Sequence, residues 1–399
     1  MEADEEFLEE GDVMKTVLVR GPLLSESGYG NHARQVFSWI VKKHPDCEVR
    51  VQVLPWGSTS WLVNPDAENG IVGEIMKRTG PLDKKYDVSY QIQLPNEWDT
   101  SLANFNVGVT AVVEADRCNP NWISSCNSMN CVVVPSEFCK KVLLDTGNVT
   151  TRVEVVPESF IPEVLDENCK FDAKFETNFN FLILGTMTGN NPFNDRKNIF
   201  FAIKWICEEF ANDPDVGIIL KTNVGRGTKL DWPHVENVIR KAVNEVRKGP
   251  YPMVHIIHGI TSQEEVAGLY RHPQVKALVA PTRGEGFGLP ILEAAASGLP
   301  VAATEYSGHM DFMKHGKFIR FEYDLNQIHE SRCDENIWMR GSKWAEVRES
   351  DFKKKLRKFK NSSSVPKQWA DELAKKVRDS HSPNAIVNEY ERVIGYTLS

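Results

Sequence analysis

The stretch PTRGEGFGLPILEAAASGLP at residues 281–300 restricts the fold more than any other part of the chain, because it reads as a glycine loop that runs straight into a helix. Gly284, Gly286 and Gly288 let the backbone come close to a bulky ligand with no Cβ in the way. Pro290 suits the first turn of a helix and Gly298 its end. A helix starting near Leu289 points unpaired N–H groups, and the positive end of its dipole, at whatever lies over the loop. Phosphate is the usual occupant of such a place. Glu293 is expected in the first helical turn and Glu285 on the loop before it. Both carboxylates are then set to face one ligand and to accept hydrogen bonds from its hydroxyls.

A strand, a glycine turn and a helix also open the chain. Residues 14–20 read as a short apolar strand, Gly21 and Pro22 as a turn, and Gly28, Tyr29 and Gly30 as a loop before a helix at 32–43 capped by Asn31. Further strands are expected at 48–54, 87–94, 107–113, 131–134 and 153–156, alternating with helical or loop segments, which argues for a parallel sheet covered on both faces. Residues 158–178 then exchange apolar runs for proline and polar residues and read as a hinge. After it the pattern restarts, with strands at 179–185, 216–222, 253–258, 277–280 and 301–303 and a helix at 198–210. The expected organisation is an acidic, disordered tail (1–12), a first Rossmann-like domain (13–165) and a second (170–380). The final helix, within 382–399, is expected to return to the first domain.

Length and composition fit this division. The 399 residues exceed one ordinary core, and 41% hydrophobic with 26% charged residues is typical of a globular chain. The net charge of −8 gives no general attraction for nucleic acid or anionic lipid. Seven acids and no base in residues 1–12 contribute much of it. No signal peptide and no apolar run near 18 residues is visible, so a cytoplasmic chain is expected. The eight cysteines form no Cys-x-x-Cys pair and read as reduced core thiols; no metal site is expected.

With two glutamates separated by seven residues, GEGFGLPILEAAASGLPV at 284–301 resembles the signature of family four of the retaining glycosyltransferases (glycosyl transferases group 1). The resemblance implies an α/β, GT-B fold: two facing Rossmann-like domains with the active site in the cleft between them. It implies that Glu293 holds the ribose of a nucleotide sugar, that Glu285 contacts the transferred sugar, and that the N–H groups of Gly286, Phe287, Gly288 and Leu289 hold the diphosphate. It also implies transfer with retention, the leaving phosphate taking the acceptor's proton; the helix N–H groups, Lys197 and Arg196 are expected to stabilise the leaving phosphates without a metal cofactor. Residues 28–32 and 134–138 are similar to those of phage, large-virus and environmental bacterial members, whose acceptors vary.

Other residues are candidates on weaker grounds. Arg196 and Lys197 follow the 179–185 strand and precede a helix, where two cations could meet a diphosphate; family members use an arginine and a lysine here. The common pattern has its arginine directly after the strand glycine, where this chain has Thr186, and a solvated basic turn is the alternative. Lys221, at a strand end, is a further donor ligand or a surface residue. Gly28 and Gly30 would lie across the cleft from the diphosphate. Many members have a histidine after the 107–113 strand; Glu114 and Asp116 stand there instead, as sugar or acceptor contacts or as a surface salt-bridge cluster. Ser136 reads as a helix cap. Trp56, Trp61 and Trp98 are either acceptor-stacking or core aromatics. The basic tract 353–360 reads as a solvated helix face, or as a contact for an anionic acceptor or a membrane surface.

The function expected is transfer of a sugar from a UDP- or GDP-sugar to a glycan, protein or other hydroxyl acceptor. The alternatives are a GT-B nucleotide-sugar epimerase, a phosphorylase-like enzyme and a non-catalytic nucleotide-binding scaffold. Oligomeric state is not read from the sequence.

Overall fold

The computed structural model describes residues 14–112, 114–187, 191–223 and 227–399; the acidic segment 1–12 lies outside the described residues. In the first half, β1 (Thr16–Gly21), β2 (Glu48–Val53), β3 (Tyr86–Ile92), β4 (Ala103–Val109), β5 (Cys131–Val134) and β6 (Val153–Val155) form one sheet in the order β2-β1-β3-β4-β5-β6. Every pairing in it is parallel. In the second half, β7 (Phe179–Leu184), β8 (Val216–Lys221), β9 (Met253–Ile257), β10 (Val275–Ala280), β11 (Val301–Thr304) and β12 (Ile319–Phe321) form another parallel sheet, in the order β12-β11-β10-β7-β8-β9. β5 and β8 are buried at every position, as a strand covered by helices on both faces must be.

The second sheet reverses direction between β7 and β10. Loops at the C-terminal ends of such a pair spread apart and leave a crevice, where open α/β sheets take their ligands. The loop after β10 is the glycine stretch, and the loop after β7 carries Arg196 and Lys197.

The opening helix, Gly28–Lys43, starts four residues earlier than the sequence suggests. Ser27, not Asn31, is its cap: Ser27 Oγ accepts from the Gly30 amide at 3.0 Å. Ser27→Ala is expected to lower stability by about 1 kcal/mol, measured by denaturant unfolding.

The closing helix, Pro383–Ile394, crosses back to the first sheet. Its Ile386, Val387, Tyr390, Val393 and Ile394 are buried in the same core as Val36, Phe37, Trp39 and Ile40 of the opening helix. Polar bonds secure the contact: His32 Nε2 to Tyr390 Oη (2.9 Å), Trp39 Nε1 to Glu391 Oε2 (2.9 Å), and Tyr90 to Thr397. A hairpin of β13 (Tyr323–Gln327) and β14 (Lys343–Val347) reaches from the second half to the first, where Trp338 and Trp344 pack among Val112, Trp122 and Val134.

The basic tract lies on the helix Glu349–Asn361. Lys353 pairs with Glu208 and Glu349, Lys355 with Asp351, Arg357 with Glu209 and Lys360 with Asp215. Much of its charge is thus engaged within the protein. No helix among the described residues is long and apolar enough to cross a membrane.

Candidate active site

Residues 281–288 leave β10 and enter the helix Leu289–Ser297, with Gly288 at φ 101° as its cap and Gly298 at φ 78° closing it. Both are left-handed conformations that favour glycine. Gly284 and Gly286 have a different reason for being glycine. A Cβ on Gly284 would run into the Glu114 carbonyl, and one on Gly286 into that of Ala111. The space freed by these two glycines is therefore filled by the first domain's backbone after β4, not by ligand.

That backbone is held in an unusual shape. Val112 sits at φ 55°, a costly region for a β-branched residue, and Tyr29 of the opening helix fixes it. Tyr29 Oη accepts from the Ala111 amide (3.1 Å) and bonds Thr110 Oγ1 (3.0 Å). From the other side, Ser136 caps its helix through the Cys139 amide (3.2 Å) and donates to the Gly286 carbonyl (2.6 Å).

Glu285 is 6% exposed, and its carboxylate meets both cations of the β7 loop. Lys197 Nζ lies 2.8 Å from Oε1 and 2.9 Å from Oε2, and Arg196 is 3.1 Å from Oε2. Burial alone would raise the pKa of Glu285, but Lys197 and Arg196 beside it hold it at about 2. Arg196 also reaches Glu114 at 3.3 Å, so this acid of the first domain joins the group. Burial lowers the pKa of Lys197 despite Glu285. Lys197, Thr282, Glu285 and Gly288 line one side of a recess with ≈ 360 Å³ of empty volume, part of it open to solvent.

Among the described residues, no acceptor is seen for the amides of Gly286, Phe287, Gly288 and Leu289. They remain available at the head of the helix, beside the two cations. The Phe287 side chain turns inward, against Phe312 and His381.

Glu293 is the fifth residue of the helix, so it falls in the second turn rather than the first. Its Oε2 accepts from Tyr270 Oη at 2.9 Å. No cation offsets its burial, which pushes its pKa up to about 7. The two signature acids thus differ: Glu285 is firmly ionised, and Glu293 exchanges its proton near neutrality.

The remaining candidates are not all brought together. Asp116 accepts from the Lys343 amide at 2.6 Å and ties the hairpin to the first domain, away from the Glu285 group. Lys221 Nζ donates to the Gly259 carbonyl (2.7 Å) and Asn223 Oδ1 (3.3 Å), apart from that group; burial lowers its pKa, with Glu26 of the first domain opposing. The Gly30 amide is engaged by Ser27 Oγ and is no free donor, whereas Gly28 borders open space. Trp98 is half-buried and packs against the core, its indole N–H donating to the Gln91 carbonyl (2.9 Å), while Trp56 stacks on Tyr29 at 4.2 Å and Trp61 is 45% exposed.

Several organising residues carry no sequence signal of their own. Arg283, 1% exposed, donates to the Pro192 and Asp195 carbonyls (both 2.7 Å) and pairs with Glu346 at 2.8 Å, so it fastens the Arg196 loop. Ser307 Oγ accepts the Glu285 amide at 2.8 Å. His309 lies under Gly288, its Nε2 2.7 Å from the Thr304 carbonyl. Among the described residues, no group of three or more His, Cys, Asp or Glu could hold a metal ion. The Asp213-Pro-Asp215 triplet lies at the other end of β8, with Asp215 paired to Lys360.

Two facing, doubly wound domains with this crevice define the GT-B fold. Solved structures agree in fold over nearly the whole chain. Sucrose-phosphate synthase from Thermosynechococcus elongatus superposes with a TM-score of 0.59 at 11% identity, covering 95% of this chain and 98% of that one. HepE of Anabaena gives 0.60 at 12%, covering 96% and 99%. A glycosyltransferase from Rickettsia africae gives 0.63 at 13%, covering 97% and 99%. In sequence, the glycosyl transferases group 1 family matches residues 247–331, which include the signature helix. A sucrose synthase of Melioribacter roseus is 35% identical over 83 residues, covering 17% of this chain and 10% of the relative's length.

Proposed function

We propose that this chain is a glycosyltransferase that moves a sugar from a UDP- or GDP-sugar to a hydroxyl of a glycan, protein or other acceptor, with retained anomeric configuration. The observation that carries the reading is the meeting of Lys197 and Arg196 with Glu285 at the head of the signature helix, beside four amides that have no acceptor among the described residues. The match to glycosyl transferases group 1 supports it, as does the Anabaena HepE structure, which holds UDP and glucose.

Breaking the bond from the sugar's anomeric carbon to phosphate leaves charge on the departing diphosphate. Preorganised donors in a poorly hydrated cleft stabilise such charge strongly. Lys197, Arg196 and the helix amides take that part. As the diphosphate draws Lys197 away, Glu285 is released to accept hydroxyls of the transferred sugar. Glu293, with Oε1 left available by Tyr270, accepts a ribose hydroxyl. The leaving phosphate takes the acceptor's proton on the face it departs from. Glu114 borders the sugar through Arg196.

Incubation with labelled UDP- and GDP-sugars, with and without a panel of acceptors, tests the reading. Acceptor-dependent release of nucleoside diphosphate, with the product anomer matching the donor's by NMR, is expected. Conversion of the donor sugar itself without acceptor would reassign the chain as an epimerase, and binding without any turnover would make it a scaffold.

A further inference from the structure

We infer that Trp56, stacked on Tyr29, is a platform for a neutral sugar ring, so that the hydroxyl receiving the transferred sugar belongs to an uncharged glycan. The inference rests on the glycosyltransferase reading and narrows its acceptor class. Trp56 lies in the loop after β2, its ring centroid 4.2 Å from that of Tyr29 and its plane 24° from parallel. Tyr29 in turn shapes the backbone after β4. Its Oη bonds Thr110 Oγ1 (3.0 Å) and the Ala111 amide (3.1 Å), and a Cβ on Gly286 would come within 2.8 Å of the Ala111 carbonyl. A short chain of contacts, Trp56 to Tyr29 to Ala111 to Gly286, thus leads from the indole to the signature loop.

A core role does not account for Trp56. Tyr29 joins the apolar core of the first domain, whereas Trp56 stays outside it, half-buried with one face on Tyr29. Its indole N–H has no acceptor among the described residues. The loop is nonetheless held firmly against the turn after β1: Ser25 Oγ meets Thr59 Oγ1 (2.7 Å), Thr59 Oγ1 donates to the Trp56 carbonyl (2.8 Å), the Glu26 amide donates to the Ser60 carbonyl (2.9 Å), and the Leu62 amide to the Leu24 carbonyl (2.7 Å). Leu62 turns into the core, while Trp61 beside it is 45% exposed. A ligand settling on so fixed a surface orders little that was free before. Charge selects the ligand. Residues 21–33 and 51–76, which carry this wall, hold the acids Glu26, Asp66, Glu68 and Glu74 and no Lys or Arg. Arg34, next along the opening helix, is engaged by Glu68 and by the Leu23 and Ser25 carbonyls. An anionic acceptor would meet no counter-charge here. The electron-rich face of an indole instead attracts the polarised C–H bonds of a pyranose, and the indole N–H suits its hydroxyls. Glu26 is half-buried, and its carboxylate, which makes no hydrogen bond among the described residues, adds a hydroxyl acceptor on the same wall.

Release of UDP or GDP by the full chain tests this, with three sets of acceptors: neutral oligosaccharides of glucose, galactose, mannose and N-acetylglucosamine, the same oligosaccharides ending in a uronic or sialic acid, and peptides rich in Ser and Thr. The neutral set is expected to accept the sugar. Trp56→Ala should raise the KM for the neutral acceptor about 10-fold, far more than the KM for the donor, and Trp56→Phe, which restores an aromatic face, should recover most of the loss. A merely structural ring would instead lower kcat with every acceptor alike. Glu26→Ala should raise the same KM several-fold and serves as the test where Trp56→Ala fails to fold. Transfer to peptides or acid-ended glycans alone, or an acceptor KM unchanged in the folded variants, would overturn this inference and leave the proposed function standing. No release of nucleoside diphosphate with any acceptor would overturn both.

Discussion

Replacing Glu285 with Gln is expected to slow sugar transfer by about 100-fold or more while the affinity for nucleoside diphosphate stays level or rises. The opposite directions follow from what Glu285 touches. Its carboxylate occupies Lys197 at 2.8 Å and Arg196 at 3.1 Å, so the unliganded chain holds the two cations proposed to bind the diphosphate against an internal anion. A glutamine competes less with an incoming diphosphate but interacts less strongly with sugar hydroxyls as charge develops. Lys197→Met should weaken diphosphate binding and transfer together. Stability gives an independent check, because removing the anion from a buried group that keeps both cations costs about 3 kcal/mol. The folded pKa of Glu285 lies below that of an unfolded glutamate. Its contribution is therefore complete above about pH 4.5 and is lost as pH falls toward 2, and this acid-limb dependence should shrink in Glu285→Gln. Steady-state kinetics, calorimetry with UDP and GDP, and melting curves between pH 3 and 7 read all three outcomes. Equal losses of binding and turnover would place Glu285 outside the transfer step.

The apolar runs that become central strands are legible from the sequence, because a strand buried on both faces has no other composition open to it. β5, β7 and β8 start where the runs start. Boundaries slip where tertiary contacts oppose local pattern. The run at 107–113 reads as one strand, but the strand is Ala103–Val109: Asn104 and Asn106 disguise its start, and Ala111 and Val112 are bent out of the sheet by Tyr29 and by the close approach of Gly284 and Gly286. The glycines at 28 and 30 read as loop, yet they form the first turn of a helix because Ser27 supplies the cap. The β13–β14 hairpin escapes sequence reading altogether, since Asp324, Leu325, Asn326 and Gln327 are exposed and polar in pattern and pair only with each other's hairpin partner.

The site was legible in its parts and not in its pairings. Lys197, Arg196 and Glu285 could each be picked out from local context, and the structure brings them together along with Glu114. Asp116, beside Glu114 in sequence, instead bonds the Lys343 amide, a contact 227 residues away that no local pattern announces. The same holds for Arg283, which resembles a loop residue but is a buried clamp on Glu346 and the Asp195 carbonyl. Glycine spacing correctly marks a tight approach at 284 and 286, but the sequence cannot say whether ligand or protein makes that approach.

Glu158→Gln should become progressively more stable than the parent as pH rises from about 5 to 8. An unfolded glutamate releases its proton near pH 4.5, whereas burial keeps Glu293 protonated to about 7 and Glu158 to about 8. Between these limits each of the two carboxyls holds more proton in the folded chain than in the unfolded one, so its own contribution to stability falls as pH rises, against the opposite trend of the buried His32 and His381, whose pKa burial lowers to about 4. Among the described residues no cation offsets the burial of Glu158. The charge of Glu293 raises its pKa further, as that of Glu163 does for Glu293. Each pKa unit corresponds to about 1.4 kcal/mol, so Glu158 alone accounts for roughly 3 to 5 kcal/mol by pH 8. A glutamine there carries no proton to lose. The variant should match the parent near pH 4.5 and exceed it by about 3 kcal/mol at pH 8, which melting temperatures across this range would register. Parallel curves for parent and variant would show Glu158 ionised at ordinary pH and the hinge open to water.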